Sequence, residues 1–73
     1  MIKVYGAKWC SYCNKTKALL DNYGYQYEFI DIDEDLVSGQ YLLNNNFKTI
    51  PQIWFDSYHV GGYDNLIERL NDR

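Results

Sequence analysis

Within the first 32 residues a short strand, a helical stretch and a second strand follow one another, and this order constrains the fold more than any other feature of the chain. Ile2 to Tyr5 alternates apolar and polar side chains and reads as a strand ended by Gly6. From Ser11 to about Tyr23 the period turns helical. Cys13, Thr16 and Leu20 share one side with the neighbouring Leu19, Lys15 and Lys17 face solvent, and Gly24 supplies a C-terminal stop. Tyr25 to Ile32 is rich in aromatic and β-branched residues and reads as a second strand. Its nearly consecutive Phe29, Ile30 and Ile32 place its pairing partners inside the sheet. Two strands joined through a helix pair in parallel, because the helix is the crossover that parallel pairing needs.

The second half completes the pattern. In the stretch from Asp33 to Asn46, Leu36, Val37, Tyr41, Leu42 and Leu43 suggest an amphipathic helix interrupted at Ser38-Gly39. Either Ser38 caps a short helix, or Gly39 lies inside a longer one and weakens it by about 1 kcal/mol relative to alanine. Asn44-Asn45-Asn46 tolerates left-handed backbone and ends the helix. Gln52 to Phe55 and Tyr58 to Val60 form an antiparallel hairpin around a tight turn at Asp56-Ser57, and Gly61-Gly62 closes it. A last helix begins near Asp64 and buries Leu66, Ile67 and Leu70. The order is β-α-β-α-β-β-α, which predicts a single α/β domain over residues 1–73, a mixed four-stranded sheet with helices on both faces. A chain of this size buries about 60% of its unfolded surface, enough for one core. The 47% hydrophobic and 18% aromatic content can fill it.

The two cysteines, Cys10 and Cys13, lie three apart where the first strand runs into the first helix. Residues i and i+3 of a helical turn share a face, with alpha carbons close enough for a disulfide to form without large backbone movement. The loop so closed is too short to staple a fold, so the pair points to reversible redox chemistry. Cys10 would sit at the helix amino end, where unpaired N–H groups and the nearby Lys8 favour a thiolate. An ordinary thiol is roughly 3% ionised at neutral pH, and lowering its pKa by about three units raises that fraction some thirtyfold. Nucleophilicity falls by a comparable factor for a Brønsted slope of about 0.5, so the clear gain is in leaving-group ability. Cys10 is therefore expected to attack and leave, and the more buried Cys13 to resolve. A mononuclear zinc site would need four ligands, and beyond carboxylates the chain adds only His59 to the two cysteines, so no metal site is expected.

Two further motifs stand near strand ends. Thr49-Ile50-Pro51 precedes the third strand, where proline is ordinary and X–Pro statistics favour trans. Its backbone could also pair with an extended substrate. Gly61-Gly62-Tyr63-Asp64 joins the fourth strand to the last helix. It is either a plain turn with Asp64 as cap, or a close-approach site whose N–H groups meet a carboxylate. The net charge of −3 argues against general nucleic-acid binding. Lys8, Lys15, Lys17 and Lys48 lie in or near these segments, and their local field suits a small thiol bearing carboxylates. No signal peptide, transit segment or membrane run is visible and the chain opens on a strand, so a cytoplasmic location without membrane association is expected.

Together, Cys-x-Tyr-Cys after the first strand, Thr-Ile-Pro before the third and Gly-Gly-x-Asp after the fourth make the chain resemble a glutaredoxin over essentially its whole length. Lys15-Thr16-Lys17-Ala18-Leu19-Leu20 and Pro51-Gln52-Ile53 belong to the same resemblance, and His59 to Leu66 is similar to the small glutaredoxins of bacteriophages. The resemblance implies a minimal thioredoxin-like fold and a glutathione-dependent thiol–disulfide oxidoreductase that reduces protein disulfides and glutathione mixed disulfides. Glutathione is then a co-substrate, and no cofactor is tightly bound. By position, Cys10 matches the family's nucleophile and Cys13 its resolving cysteine. Tyr12 matches the tyrosine beside glutathione, and Thr49, Ile50 and Pro51 the loop pairing with its cysteinyl part, Pro51 then being cis. Lys48 stands where an arginine often meets the glycine carboxylate, and Gly62, Tyr63, Asp64 and Asn65 match the segment holding the γ-glutamyl end.

Three departures from the family pattern keep other readings open. Ser11 replaces the commonest proline, as in members that bind a [2Fe-2S] cluster between two subunits, with Cys10 as ligand. Trp9 is reminiscent of thioredoxins, and Lys8 lies two rather than three residues before Cys10, which makes its role in glutathione binding differ from the family's usual lysine. Asn65 replaces a frequent aspartate, which would weaken glutathione binding by about 1–2 kcal/mol. These give two alternatives to the dithiol glutaredoxin: a cluster-binding dimer, and a redoxin reduced by thioredoxin reductase. The leading expectation is a monomer whose partners are glutathione and disulfide-containing proteins, with ribonucleotide reductase among them on the phage-type resemblance alone.

Overall fold

The computed structural model describes residues 1–71, so the last two positions of the expected domain lie outside the described residues. Its elements are β1 (Ile2–Gly6), α1 (Ser11–Asn22), β2 (Tyr27–Asp31), α2 (Leu36–Asn44), β3 (Gln52–Phe55), β4 (Tyr58–Gly61) and α3 (Tyr63–Asn71). The sheet order is β2-β1-β3-β4. β1 pairs in parallel with β2, antiparallel with β3, and β3 antiparallel with β4. The sheet is mixed, as the order of elements requires. β2 lies at the sheet edge and its partner β1 inside.

Strand alternation sorts the side chains onto two faces. Val4 and Ile53, opposite each other in the β1–β3 register, point to the face covered by α1 and α3 and form the main core with Leu20, Leu66 and Leu70. Leu66 and Leu70 are buried as expected, while Ile67 is half-buried at the helix flank. Tyr5 and Trp54 point to the opposite face, where Tyr41 of α2 meets them at ring-centroid distances of 6.3 and 6.5 Å. Phe47 and His59 extend this aromatic layer, with their centroids 5.5 and 4.4 Å from Trp54. Helices therefore cover both faces of the sheet.

Element ends follow from particular bonds. Tyr23 caps α1, and the Tyr25 N–H donates to the Leu20 carbonyl at 3.0 Å, so β2 starts at Tyr27 rather than at Tyr25. Of the two readings of the middle helix, the longer one holds. Asp35 is the cap, accepting from the Ser38 N–H at 3.2 Å, and the helix runs on through Gly39. β4 carries one extra residue between its pairings with Trp54 and Ile53, so the chain bulges at Val60. A bulge bends its strand and re-aims the residues beyond it. Here the chain turns at Gly61 (φ +116°) into the start of α3, whose Tyr63 meets Tyr12 of α1.

Candidate active site

β1 ends at Gly6 in the middle of the sheet, and a turn from Ala7 to Cys10 joins it to α1. The turn is closed by the Cys10 N–H donating to the Ala7 carbonyl (3.2 Å), and Asn14 Nδ2 holds the Lys8 carbonyl at 3.1 Å. Ala7 is buried, so Lys8 and Trp9 are pushed out at the corner. Cys10 thereby becomes the N-cap of α1, and its Sγ accepts the Cys13 N–H at 3.2 Å. The sulfur stands where a cap oxygen ordinarily would, with a helix N–H aimed at the reacting atom. On its other side the Ile50 carbonyl lies 3.9 Å from Sγ. Cys10 keeps 8% exposure and Cys13 none.

Cys13 sits under β1 with Ala7 and Phe29 around it. A Cβ on Gly6 would lie 2.5 Å from its Sγ, so the strand residue must be glycine for the thiol to fit. Burial pushes the Cys13 thiol up to about 12, and the hydrogen bond with Cys10 adds to the rise. The Ala7 backbone and the Lys17 charge act the other way. Lys17 Nζ lies 4.2 Å from the centre of the Phe29 ring that packs against Cys13.

A groove of about 280 Å³ opens beside Cys10, lined by Tyr12, Thr49, Ile50, Pro51, Gly62, Tyr63, Asp64 and Asn65. The Ile50–Pro51 bond is cis, against the statistics for an isolated X–Pro pair and in line with the family resemblance. The Tyr12 and Tyr63 rings face each other across the groove at 5.6 Å. Asn65 Oδ1 accepts the Gly62 N–H at 3.0 Å, tying the glycine turn to the first turn of α3. A side chain at Gly61 would collide with that amide at 2.6 Å. The structure thus brings together every expected site residue except the two lysines. Lys8 points away to Glu34 (Nζ–Oε2 3.2 Å), and Glu34, by hydrogen bond and charge, holds its ammonium above the ordinary value. Lys48 is exposed and does not line the groove. Among the described residues no group of three or more His, Cys, Asp or Glu side chains is arranged to hold a metal ion, and no helix is long and apolar enough to cross a membrane.

The family model for glutaredoxin matches residues 2–60. The chain belongs to the glutaredoxin family. Similar relatives include glutaredoxin 3 of Escherichia coli K12, 32% identical over 66 residues that cover 89% of this chain and 80% of that protein. Glutaredoxin 1 of Rickettsia bellii is 39% identical over 72 residues, covering 92% and 74%. Among solved structures, a buckwheat glutaredoxin–glutathione complex superposes with a TM-score of 0.82 at 28% identity, covering 97% of this chain and 68% of that one. NrdH-redoxin of Escherichia coli, a glutaredoxin-like protein with a thioredoxin-like activity profile, superposes at 0.83 with 26% identity, covering 94% and 92%.

This glutaredoxin is a thiol–disulfide oxidoreductase with a thioredoxin-like fold. Sequence reasoning missed several residues that shape its site. Asp33 accepts the Trp9 indole N–H at 2.7 Å, and Glu34 takes Lys8. Gln52, which the sequence gives no role in the site, is buried and bonded to Thr49. A polar side chain in a strand position that the alternation leaves against another layer was the available signal for Gln52. The Asp33 and Glu34 contacts cross more than twenty residues of chain and left no local signal.

Proposed function

We propose that this glutaredoxin draws its electrons from glutathione and passes them to protein disulfides and glutathione mixed disulfides. The observation that carries the reading is the groove itself: Tyr12, Thr49, Ile50, Pro51 and the Gly62–Asn65 turn converge beside the Cys10 sulfur. The buckwheat protein of the same fold forms a complex with glutathione. The Cys10 thiolate attacks one sulfur of a substrate disulfide, forming a mixed disulfide and releasing the other half as a thiolate that takes up a proton. Cys13 gives up its proton and attacks Cys10 Sγ. The Cys10–Cys13 disulfide forms, the second half leaves, and the substrate has gained two electrons and two protons. One glutathione then opens that disulfide at Cys10, and a second releases oxidised glutathione and restores both thiols. For a glutathione mixed disulfide, Cys10 alone suffices. On this reading the protein works in the cytoplasm as a monomer, and on the phage-type resemblance it takes ribonucleotide reductase as a protein substrate.

Three observations favour a second reading, in which thioredoxin reductase is the electron source. Trp9 is held outward by Asp33 beside Cys10, Asn65 brings no charge to the groove and turns its oxygen to Gly62, and the fold superposes on NrdH-redoxin. Supplying NADPH with glutathione and its reductase, or with thioredoxin reductase, separates the two. Turnover with the glutathione system is expected, and turnover with thioredoxin reductase alone would overturn the proposal.

A further inference from the structure

On the α2 face of the sheet, a line of hydrogen bonds runs from the chain's one histidine to the loop beside Cys10. Gln52 is 6% exposed, and its Nε2 lies 2.9 Å from the Thr49 carbonyl and 3.2 Å from Thr49 Oγ1. A carbonyl oxygen only accepts, so the amide nitrogen of Gln52 must face it. That orientation turns Oε1 away, to His59 Nε2 at 2.7 Å. An amide oxygen also only accepts, so His59 must carry its proton on Nε2. The imidazole is held in place by Trp54 (4.4 Å between centroids) and by Phe47 (4.8 Å). Trp54 comes after the loop and Phe47 precedes it, so His59 is packed against both of its ends.

The peptide unit between Thr49 and Ile50 is planar, and in a trans unit the C=O and the N–H point in opposite directions. Holding the Thr49 oxygen towards Gln52 therefore sends the Ile50 N–H the other way, to the groove side, where the Ile50 carbonyl already meets Cys10 Sγ. If the Gln52 amide flipped, two oxygens would face each other and the peptide unit would lose its anchor. His59, by donating to Oε1, selects the orientation that keeps it.

We propose that His59 and Gln52 are a positioning pair that fixes the Thr49–Ile50 peptide unit, aiming the Ile50 N–H at the extended backbone of a glutathione moiety in the groove. This rests on the reading of the groove as the glutathione site. The pair touches no reacting atom and acts through the loop. His59→Phe keeps a ring against Trp54 and Phe47 but removes the donor. His59→Gln keeps a donor and removes the ring.

The test measures kcat and KM with a glutathione mixed disulfide, the Ile50 backbone order parameter from 15N relaxation, and the 15N signals of the His59 ring at a pH where it is neutral. The expected result is the Nε2–H tautomer in the parent protein. His59→Phe should raise KM about fivefold, the weight of one hydrogen bond, with kcat unchanged and a lower Ile50 backbone order parameter. His59→Gln should keep KM within about twofold of the parent, as expected if the donor rather than the ring is what matters. A proton on Nδ1, or a His59→Phe variant with parental KM and parental Ile50 order, would overturn the proposal. If the parent protein does not turn over the mixed disulfide at all, the reading of the groove fails instead, and the tautomer and the Ile50 order parameter then decide whether the pair fixes the loop.

Discussion

Gly6→Ala tests how tightly the strand and the resolving thiol are packed. The added methyl would lie 2.5 Å from Cys13 Sγ, 3.1 Å from its Cβ and 3.2 Å from Phe29 Cε1. Favourable carbon contacts lie at about 3.5–4.0 Å, so the sulfur must move by about 1 Å or more. Cys13 has no exposed surface, and Ala7 and Phe29 close the site, so the displacement cannot be relieved into solvent. Overpacking of this kind costs about 1–3 kcal/mol, and three close contacts put this site at the upper end. Replacing glycine by alanine returns about 0.4–1 kcal/mol through the unfolded chain. The net loss is about 1–2.5 kcal/mol, or a Tm lower by roughly 5–20 °C for a domain of this size. Thermal unfolding of the reduced protein reads it. A double-mutant cycle with Cys13→Ala should recover about 1–2 kcal/mol of coupling, because the second change removes the atom that clashes. A reduced Gly6→Ala protein that melts at or above the parent, or a cycle with no coupling, would refute the packing argument.

The raised Cys13 pKa gives a pH dependence of stability. Below its ordinary value near 9 the thiol is neutral in both folded and unfolded chains. Between there and about 12 only the unfolded chain ionises, so the reduced protein loses stability as pH rises, by at most about 1.4 kcal/mol per pH unit. Denaturant unfolding of parent and Cys13→Ala proteins should diverge above pH 9, and parallel curves would contradict the assignment. Asn65→Asp keeps an acceptor for the Gly62 N–H and adds a charge to the groove, so KM for glutathione should fall by about five- to thirtyfold. An unchanged KM would mean that this end of the groove does not meet the glutamyl amine. Anaerobic reconstitution with iron, sulfide and glutathione should leave the protein colourless and monomeric, whereas a coloured dimer would make Ser11 the mark of a cluster-binding protein.

Much of this architecture could be read from the chain because its punctuation is local. Pro51 and Asp56-Ser57 bracket β3, and the structure puts that strand at the expected residues. The spacing of Cys10 and Cys13 puts both thiols on one helical face, and the proline and glycine motifs further along the chain complete the reading. Boundaries moved where a bond outside the element decided them: Tyr25 is tied back to Leu20, and Asp35 takes the cap that residue type alone would equally assign to Ser38. Lys8 stands two residues from Cys10 in sequence, yet Glu34, 26 residues on, captures it across the surface. The Gln52–His59 link was invisible for a related reason. It joins two strands across a hairpin, and residue type alone gives no sign that the amide turns towards Thr49.

The division of labour between the two cysteines is most directly tested by the turnover of a Cys13→Ser variant on two substrates. With a glutathione mixed disulfide of a small thiol, which needs only Cys10, its activity with glutathione should stay close to that of the parent. With a protein disulfide, where the mixed intermediate awaits the resolving thiol, it should fall steeply. Equal loss on both substrates, or full activity on both, would contradict the assignment of Cys10 as attacker and Cys13 as resolver.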